Sequence, residues 1–275
     1  MDAPSIKSMK LYGQVERIYN DLTAAGFADD DPLTVADLSA FDQYHYFGTQ
    51  AVNDATERLA IGAESRVLEV GSGIGGPSRH LAERTGCRVT ALELQSDLDE
   101  VARSLTGRCG LSERVEHACG DVLAHPLPAE TYDAVVSWLA LYHVPDQTAL
   151  FARCARALKP GGALYAEDLY ERAPLTADEQ DRIAHELYGA GLATRENYCT
   201  TLKEAGFEDI AFEDLSELWS AHVAERLEQY RAGIDRHVAV HGEAVVAALD
   251  HFYDMVTTMF AGGRLGGVRV VARKG

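Results

Sequence analysis

The run EVGSGIGGP at residues 69–77 has the residue types of a ligand-binding loop. Gly71 and Gly73 allow a tight turn and let the backbone come close to a ligand. Pro77 suits the first turn of a helix, because it has no N–H group to leave unpaired. The free N–H groups of such a turn can receive a carboxylate or a phosphate. The run therefore predicts a binding loop between a strand and a helix.

Two other segments carry side chains that can accept or donate a proton. SWLALYH (137–143) lies at and after the end of a strand-like run, and FDQYHYFG (41–48) precedes the first strand. His143 and Tyr44 are the candidates for acid–base work in these segments. Trp138 and Tyr142 could hold a cationic group by cation–π contact. The structural alternatives stay open: a capping or core histidine, and tryptophan and tyrosine as packing residues.

Strand-like and helical patterns alternate through the middle of the chain. These elements would position the glycine run and the candidate acid–base residues. Strands are predicted at 66–70, 88–94, 114–121, 132–138 and 162–169. Helices are predicted between them at 77–84, 96–107 and 147–158. This alternation indicates βαβ units and a parallel sheet, and the continuous apolar strands fit a sheet covered on both faces.

The two ends of the chain predict helical attachments to this core. Two helices are expected in 176–206, a sixth strand at 207–216, a helical stretch broken near Gly242 at 217–260, and a seventh strand at 267–273. The insert between the last two strands is too long for a loop. The predicted division is an N-terminal helical cap (1–56), a core (57–216), a helical acceptor lid (217–262) and a final core strand (263–275).

Composition narrows the class of protein further. The 275 residues are 47% hydrophobic and 25% charged, which is ordinary globular composition, and the net charge is −18. So acidic a surface makes nucleic acid an unexpected partner. Five cysteines without a CxxC pair suggest neither a disulfide framework nor a zinc site, and no metal-ligand constellation is seen. Without a signal-like or membrane-length apolar run, a cytoplasmic protein with no membrane partner is expected.

The spacing of the glycines helps to distinguish which cofactor the loop would bind. Gly71, Gly73 and Gly76 satisfy GxGxxG, which keeps a nicotinamide-dependent dehydrogenase as a remote alternative. With Glu69 and Gly75, however, the loop reads ExGxGxG, which resembles motif I of the class I S-adenosylmethionine-dependent methyltransferases. Glu93 at the end of the second strand, Gly120-Asp121-Val122 after the third and LKPGG at 158–162 agree with that resemblance.

The resemblance covers residues 60–170 and extends more weakly to both ends. It implies a Rossmann-like, seven-stranded, mostly parallel sheet with helices on both faces, an N-terminal helical cap and a helical lid between the last two strands. It also implies S-adenosyl-L-methionine as cofactor, with Glu93 on the ribose hydroxyls and Asp121 with an adjacent amide at the adenine. The cofactor-binding residues it implies are Gln43, Glu69, Gly71, Ser72, Gly73, Gly75, Glu93, Leu94, Gln95, Asp121, Val122 and Ser137.

A closer resemblance is to sarcosine/dimethylglycine methyltransferases and, more distantly, to phosphoethanolamine methyltransferases. In the latter a Gln-Tyr pair lies over the cofactor, and its tyrosine pairs with a histidine after strand four. By position, Gln43 and Tyr44 match that pair and His143 matches the histidine. The phosphate-binding set of that family is not found. Arg195 and Arg264 are candidates for binding an acceptor carboxylate, without a motif to support them.

The expected function is methyl transfer from S-adenosylmethionine to a small-molecule acceptor. N-methylation of a small amine, such as sarcosine or dimethylglycine, is preferred. The alternative is O- or C-methylation of a phenolic, indolic or other secondary metabolite, since fold and cofactor do not define the acceptor. A non-catalytic cofactor-binding protein is a third alternative, and a homodimer is one assembly that the chain allows.

Overall fold

A mostly parallel sheet forms the centre of the molecule in the computed structural model, which describes residues 15–275. The first part of the predicted cap, residues 1–14, lies outside the described residues. The strands are β1 (Arg66–Val70), β2 (Arg88–Glu93), β3 (Val115–Cys119), β4 (Tyr132–Trp138), β5 (Leu158–Glu171), β6 (Phe207–Asp214) and β7 (Leu265–Lys274). Their order is β3-β2-β1-β4-β5-β7-β6, with β7 antiparallel to both neighbours and the other pairs parallel. The predicted Rossmann-like, seven-stranded fold is confirmed.

Helices cover both faces of this sheet. They are α1 (Arg17–Ala24), α2 (Val35–Ser39), α3 (Gly48–Arg58), α4 (Gly76–Thr85), α5 (Ser96–Arg108), α6 (Gln147–Ala157), α7 (Ala177–His185), α8 (Arg195–Glu204), α9 (Ser216–Ala232), α10 (Ile234–His241) and α11 (Glu243–Ala261). Because successive side chains of a strand alternate, Leu68 packs with Phe151 of α6 while Val67 packs with Val52 of α3 and Leu81 of α4.

Two differences from the sequence prediction go beyond a shift of one or two residues at the end of an element. Strand β5 begins at Leu158 rather than at residue 162, because Leu158 already pairs with Tyr132 before a shift in register. The LKPGG segment, with Gly161 at a φ of 76°, is therefore an irregularity at the start of the strand. The helical stretch before β7 breaks twice, at Gly233 and at the predicted Gly242.

The helices α9–α11 stand over the carboxyl ends of the strands and are anchored to β7. Trp219 of α9 is fully buried, and a Cβ at Gly267 would lie 2.3 Å from its ring. Only glycine therefore lets the indole lie on the backbone of β7. Tyr46 packs edge-on against Trp219, with ring centroids 4.7 Å apart, so the segment between α2 and α3 meets the helical insert over the sheet.

Among residues 15–275, no helix combines the length and the apolar character that crossing a bilayer requires.

Candidate active site

A cavity at the carboxyl ends of β1, β2 and β4, here called the donor cavity, is bordered by the glycine loop. Gly71 has a φ of 74°, its N–H donates to the Leu92 carbonyl over 2.8 Å, and a Cβ there would lie 2.3 Å from the Cβ of Ala140. Gly73 has a φ of 54° and nothing within 4 Å of its Cβ position. The first glycine brings the ends of β1 and β4 together, and the second leaves the cavity open.

Glu93 joins the loop to the end of β2. Its carboxylate accepts the N–H of Gly73 over 2.8 Å and the N–H of Gln95 over 2.9 Å. Burial raises the pKa of Glu93, and these amides oppose the shift. A carboxylate offers about four lone-pair positions, so Glu93 can still accept hydroxyl donors from a ligand.

Glu69 is a second acid at this cavity and is only 1% exposed. The Ser78 hydroxyl donates to it, and burial raises the pKa of Glu69 to about 8. At that pKa the carboxyl is largely neutral at pH 7, although the charge of Arg79 opposes the shift. A cationic ligand group beside Glu69 would lower its pKa and favour the ionised form.

Three buried polar atoms that belong to residues lining the donor cavity have no hydrogen-bond partner within residues 15–275. They are Oγ of Ser72, Nε2 of Gln95 and Nε1 of Trp138. Buried polar groups in proteins nearly always have partners. Unpaired groups at a cavity wall fit a site that holds a polar ligand.

Most of the residues that the sequence predicted for cofactor binding border this cavity, and three do not. Those that line it are Glu69, Gly71, Ser72, Gly73, Glu93, Leu94, Gln95, Asp121 and Val122. Ser137 donates to the Val70 carbonyl over 2.8 Å and so ties β4 to β1. Gly75 precedes α4 with a φ of 81°, where a Cβ would meet Arg79 and His117 at 2.9 Å. Gln43 donates to Asp42 over 2.8 Å and lines a different cavity, between α1 and helices α9–α11.

Tyr44 and His143 come from distant segments and both border the donor cavity. His143 lies in a short 3₁₀ turn after β4, with Nδ1 3.0 Å from the Tyr188 carbonyl oxygen. Because a carbonyl only accepts, Nδ1 carries the proton and Nε2 is the basic atom. Burial lowers the pKa of His143 to about 4, so the ring is neutral at pH 7. A neutral imidazole at this position can accept a proton from a ligand.

Tyr44 is held from the α1 side. The guanidinium of Arg17 lies 5.5 Å from the centre of the Tyr44 ring and hydrogen-bonds to the tyrosine side chain. Burial raises the pKa of Tyr44, and the charge of Arg17 opposes this shift. The phenol therefore stays protonated at neutral pH.

A larger cavity of about 460 Å³, the acceptor cavity, lies between Tyr44 and helices α7 and α11. Tyr44 and Leu139 line both cavities, so the two meet there. Its apolar lining includes Leu169, Tyr142, Phe252, Val256 and Phe260. Tyr142, predicted as a substrate residue, lies here, whereas Trp138 lies at the donor cavity, where its ring stacks on His45 at 5.7 Å.

Sequence reasoning missed the acceptor lining in α11. Phe252, Val256 and Phe260 recur at helical spacing, which is also the pattern of ordinary packing residues. The arginine candidates for acceptor binding lie elsewhere: Arg195 stacks on Phe212 at 5.1 Å, and Arg264 lies 3.6 Å from Glu179. Neither lines the donor or the acceptor cavity.

Comparison with known proteins identifies the chemistry of the donor cavity. Residues 68–166 match the family model described as a methyltransferase domain. A sarcosine/dimethylglycine N-methyltransferase of Halorhodospira halochloris is 30% identical over 251 residues, which cover 86% of this chain and 80% of the relative. A sterol 24-C-methyltransferase of Gibberella zeae is 32% identical over 167 residues, covering 58% of this chain and 43% of the relative.

A solved structure shows the same fold. Haemonchus contortus phosphoethanolamine N-methyltransferase 2, in complex with phosphomonomethylethanolamine and S-adenosylhomocysteine, has a TM-score of 0.81 at 20% identity. The match covers 98% of this chain and 60% of that one, so this chain spans less than two thirds of the nematode enzyme.

These likenesses fit the donor cavity and decide between the cofactors. S-adenosylmethionine carries hydroxyls, an adenine, and cationic ammonium and sulfonium groups. The cavity offers a hydroxyl acceptor in Glu93, unpaired donors in Gln95 and Trp138, and a cation-favouring acid in Glu69. The dehydrogenase alternative is set aside. The chain belongs to the S-adenosylmethionine-dependent methyltransferases.

Proposed function

We propose that this enzyme transfers a methyl group to a hydroxyl oxygen of a small molecule with an extended apolar body. The observation that carries the apolar body is the acceptor cavity, which is about 460 Å³ and largely lined by aliphatic and aromatic side chains. The neutral His143 ring at the donor cavity supports a hydroxyl acceptor, since a hydroxyl has a proton to lose. That volume lies in the range of pockets for drug-sized ligands, and an amine as small as sarcosine would leave most of it unfilled. The core holds the donor in this proposal, while the cap (1–56) and the lid (217–262) select the acceptor.

On the donor side we assign roles to the residues that line the cavity. Glu93 accepts the ribose hydroxyls, and Asp121 with the neighbouring amide of Val122 holds the adenine. Glu69 lies at the methionine end, where a positive charge favours its ionised form. Gly71 and Gly73 let the backbone approach the cofactor, and the Gln95 amide donates to it.

The acceptor hydroxyl must lose its proton as its oxygen forms the new bond. Bound S-adenosylmethionine supplies an electrophilic methyl group, whose bond to sulfur breaks with the electron pair remaining on sulfur. Nε2 of His143 accepts the hydroxyl proton, because Nδ1 is already committed to the Tyr188 carbonyl. Tyr44, where the two cavities meet, keeps the acceptor oxygen in line with the methyl group.

N-methylation of a small amine is the second candidate. It is supported by the relative named as a sarcosine/dimethylglycine N-methyltransferase, at 30% identity over 86% of this chain. Against it stands the size of the largely apolar acceptor cavity, most of which an amine as small as sarcosine would leave unfilled.

A panel of acceptors with methyl-labelled S-adenosylmethionine, read by product mass, tests the proposal. It should pair long-chain phenols and alcohols with sarcosine and dimethylglycine. We expect label on the hydroxyl compounds, and we expect Val256→Phe, which fills part of the cavity, to lower their turnover about tenfold. Val256→Ile is the matched control with little added volume. Label only on sarcosine or dimethylglycine, unaffected by Val256→Phe, would establish the second candidate instead.

A further inference from the structure

Next to the acceptor cavity lies another of about 430 Å³, between α1 and helices α9–α11. We call it the arginine cavity, because Arg17, Arg226 and Arg236 line it together with His237 and His241. These cations come from three separate helices, and neither the methyl-donor motifs nor the proposed base involve them. The cavity therefore needs its own explanation.

The guanidinium groups of Arg17 and Arg226 lie on aromatic rings. The guanidinium of Arg17 lies 5.5 Å from the centre of the Tyr44 ring. The guanidinium of Arg226 lies 4.8 Å from the centre of the Tyr253 ring and also donates to the Tyr253 hydroxyl over 3.2 Å. Such contacts orient a guanidinium without neutralising its charge. By contrast Arg231, on the same helix as Arg226, pairs with Asp250 and Asp254 at 2.7 and 2.8 Å.

Carboxylates are scarce in the arginine cavity. In the described part of the chain, Arg17, Arg226 and Arg236 form no ion pair, although the whole chain has 43 acidic residues and 25 basic ones. The acid that lines the cavity, Asp21, already faces His241 at 3.0 Å. Burial lowers the pKa of His237, and the charges of His241 and Arg236 lower it further while that of Asp21 opposes them.

The arginine cavity opens toward the reacting groups. Arg17, Tyr44, Arg226, Leu249 and Tyr253 line both this cavity and the acceptor cavity. A ligand could therefore extend from the apolar space to the guanidinium groups past Tyr44.

We propose that the arginine cavity binds an oxyanion of the acceptor, a carboxylate or a phosphate, while the apolar body lies in the acceptor cavity. Arg226 and Arg17 donate charge-assisted hydrogen bonds to the oxyanion, and Arg236 adds its positive charge at the exposed side. The acceptor is then an amphiphile with an acidic end and a methylated end. This inference rests on the proposed function for the position of the acceptor, but the anion site can be measured without methyl transfer.

Calorimetric titration with three probes of one shape tests the site. The probes are 4-phenylbutyrate, 4-phenylbutyl phosphate and the neutral 4-phenylbutyramide, added to the full chain saturated with S-adenosylhomocysteine. We expect at least one anion to bind about tenfold or more tightly than the amide, as charge-assisted hydrogen bonds allow. Arg226→Gln and Arg17→Gln should each remove most of that preference. Arg182→Gln removes an exposed positive charge that lines neither cavity, and this variant should keep the preference for the anion.

The relative affinities of the two anions say whether the natural group is a carboxylate or a phosphate. Equal binding of both anions and the amide, no measurable binding of either anion, or an equal loss in Arg182→Gln would each overturn the anion site. Anion preference without methylation of any hydroxyl compound would keep the site and refute the proposed O-methylation. Methylation of a hydroxyl compound without any preference for anions would support the proposed O-methylation and refute the anion site.

Discussion

The donor and acceptor cavities share Tyr44 and Leu139 but are built in different ways. The donor cavity is made largely by short segments at the ends of neighbouring strands, with backbone amides and glycine conformations at its centre. The acceptor cavity is made by side chains from helices far apart in sequence. The donor site is thus fixed by local geometry, whereas the acceptor site depends on how the cap and the lid pack. Relatives named for sarcosine and for sterol methylation are consistent with this division.

The largest expected effect tests the proposed base, His143, in the wall of the donor cavity. His143→Ala should lower turnover about 100-fold to 10,000-fold, because it removes the proton acceptor. The affinity for S-adenosylhomocysteine, measured by calorimetry, should be unchanged. Tyr44→Phe should also lower turnover, by less, since the ring stays in place. Unchanged turnover in both variants would refute their proposed roles.

The next effect concerns the link between the cap and the core. Asp42 and Arg79 form an ion pair at 2.9 Å, and both side chains are fully buried. Asp42→Asn should lower the free energy of unfolding by about 3–5 kcal/mol in a denaturant titration, because the guanidinium loses its buried partner. Arg84→Gln is the control: its pair with Glu57 is 45% and 72% exposed and should contribute at most about 1 kcal/mol. Equal losses in the two variants would contradict this difference.

A smaller effect should be confined to the donor cavity. The N–H groups of Gly73 and Gln95 donate to different oxygens of Glu93, so Glu93→Gln turns an amide N–H₂ toward one of them and removes the negative charge. We expect S-adenosylmethionine to bind about tenfold to 100-fold more weakly in calorimetry, in line with the loss of charge-assisted hydrogen bonds. Glu100→Gln, an exposed position on α5, should bind as the wild type does. Equal weakening in both variants would mean that net charge, not the site, attracts the cofactor.

The smallest effect is a flat pH profile. Burial lowers the pKa of His143 from 6.5 to about 4, so the basic form persists as the pH falls from 8 to 5. Turnover of a hydroxyl acceptor should therefore not fall through a midpoint near pH 6.5, and a fall there would show that His143 titrates as an exposed histidine.

The lowered pKa of His143 also destabilises the fold in acid: below pH 6.5 the unfolded chain binds a proton that the folded site takes up only near pH 4. Stability should thus decline from pH 6.5 toward 4.

The sequence signals of the donor side are local, and nine of the twelve residues expected at the cofactor border the donor cavity. The glycine run and Asp121 follow strands, Glu93 ends one, and parallel strands bring their carboxyl ends to one edge of the sheet. Ser137 shows the limit of such signals: its position near the carboxyl end of β4 matched the pattern, but its hydroxyl donates to the Val70 carbonyl.

The acceptor side could not be predicted in this way. Arg17 and Arg226 are more than two hundred positions apart, and no sequence motif contains both. The packing of α1 against the lid brings them to the same cavity. Phe252 and Val256 look like any buried face of a helix until the cavity beside them is seen. A cytoplasmic location and a homodimeric assembly stay predictions.

The two glycine breaks in the lid have a kinetic consequence. Helix α10 has no buried residue, whereas α9 is anchored by Trp219 and α11 by Met255 and Phe260. Detaching α10 between Gly233 and Gly242 exposes little apolar surface but breaks the His241–Asp21 contact at 3.0 Å and the stacking of His237 on Tyr230, so we expect its local opening to cost less free energy than lifting the whole lid. Because α10 forms one wall of the arginine cavity, such an opening would widen that cavity while α9 and α11 stay packed.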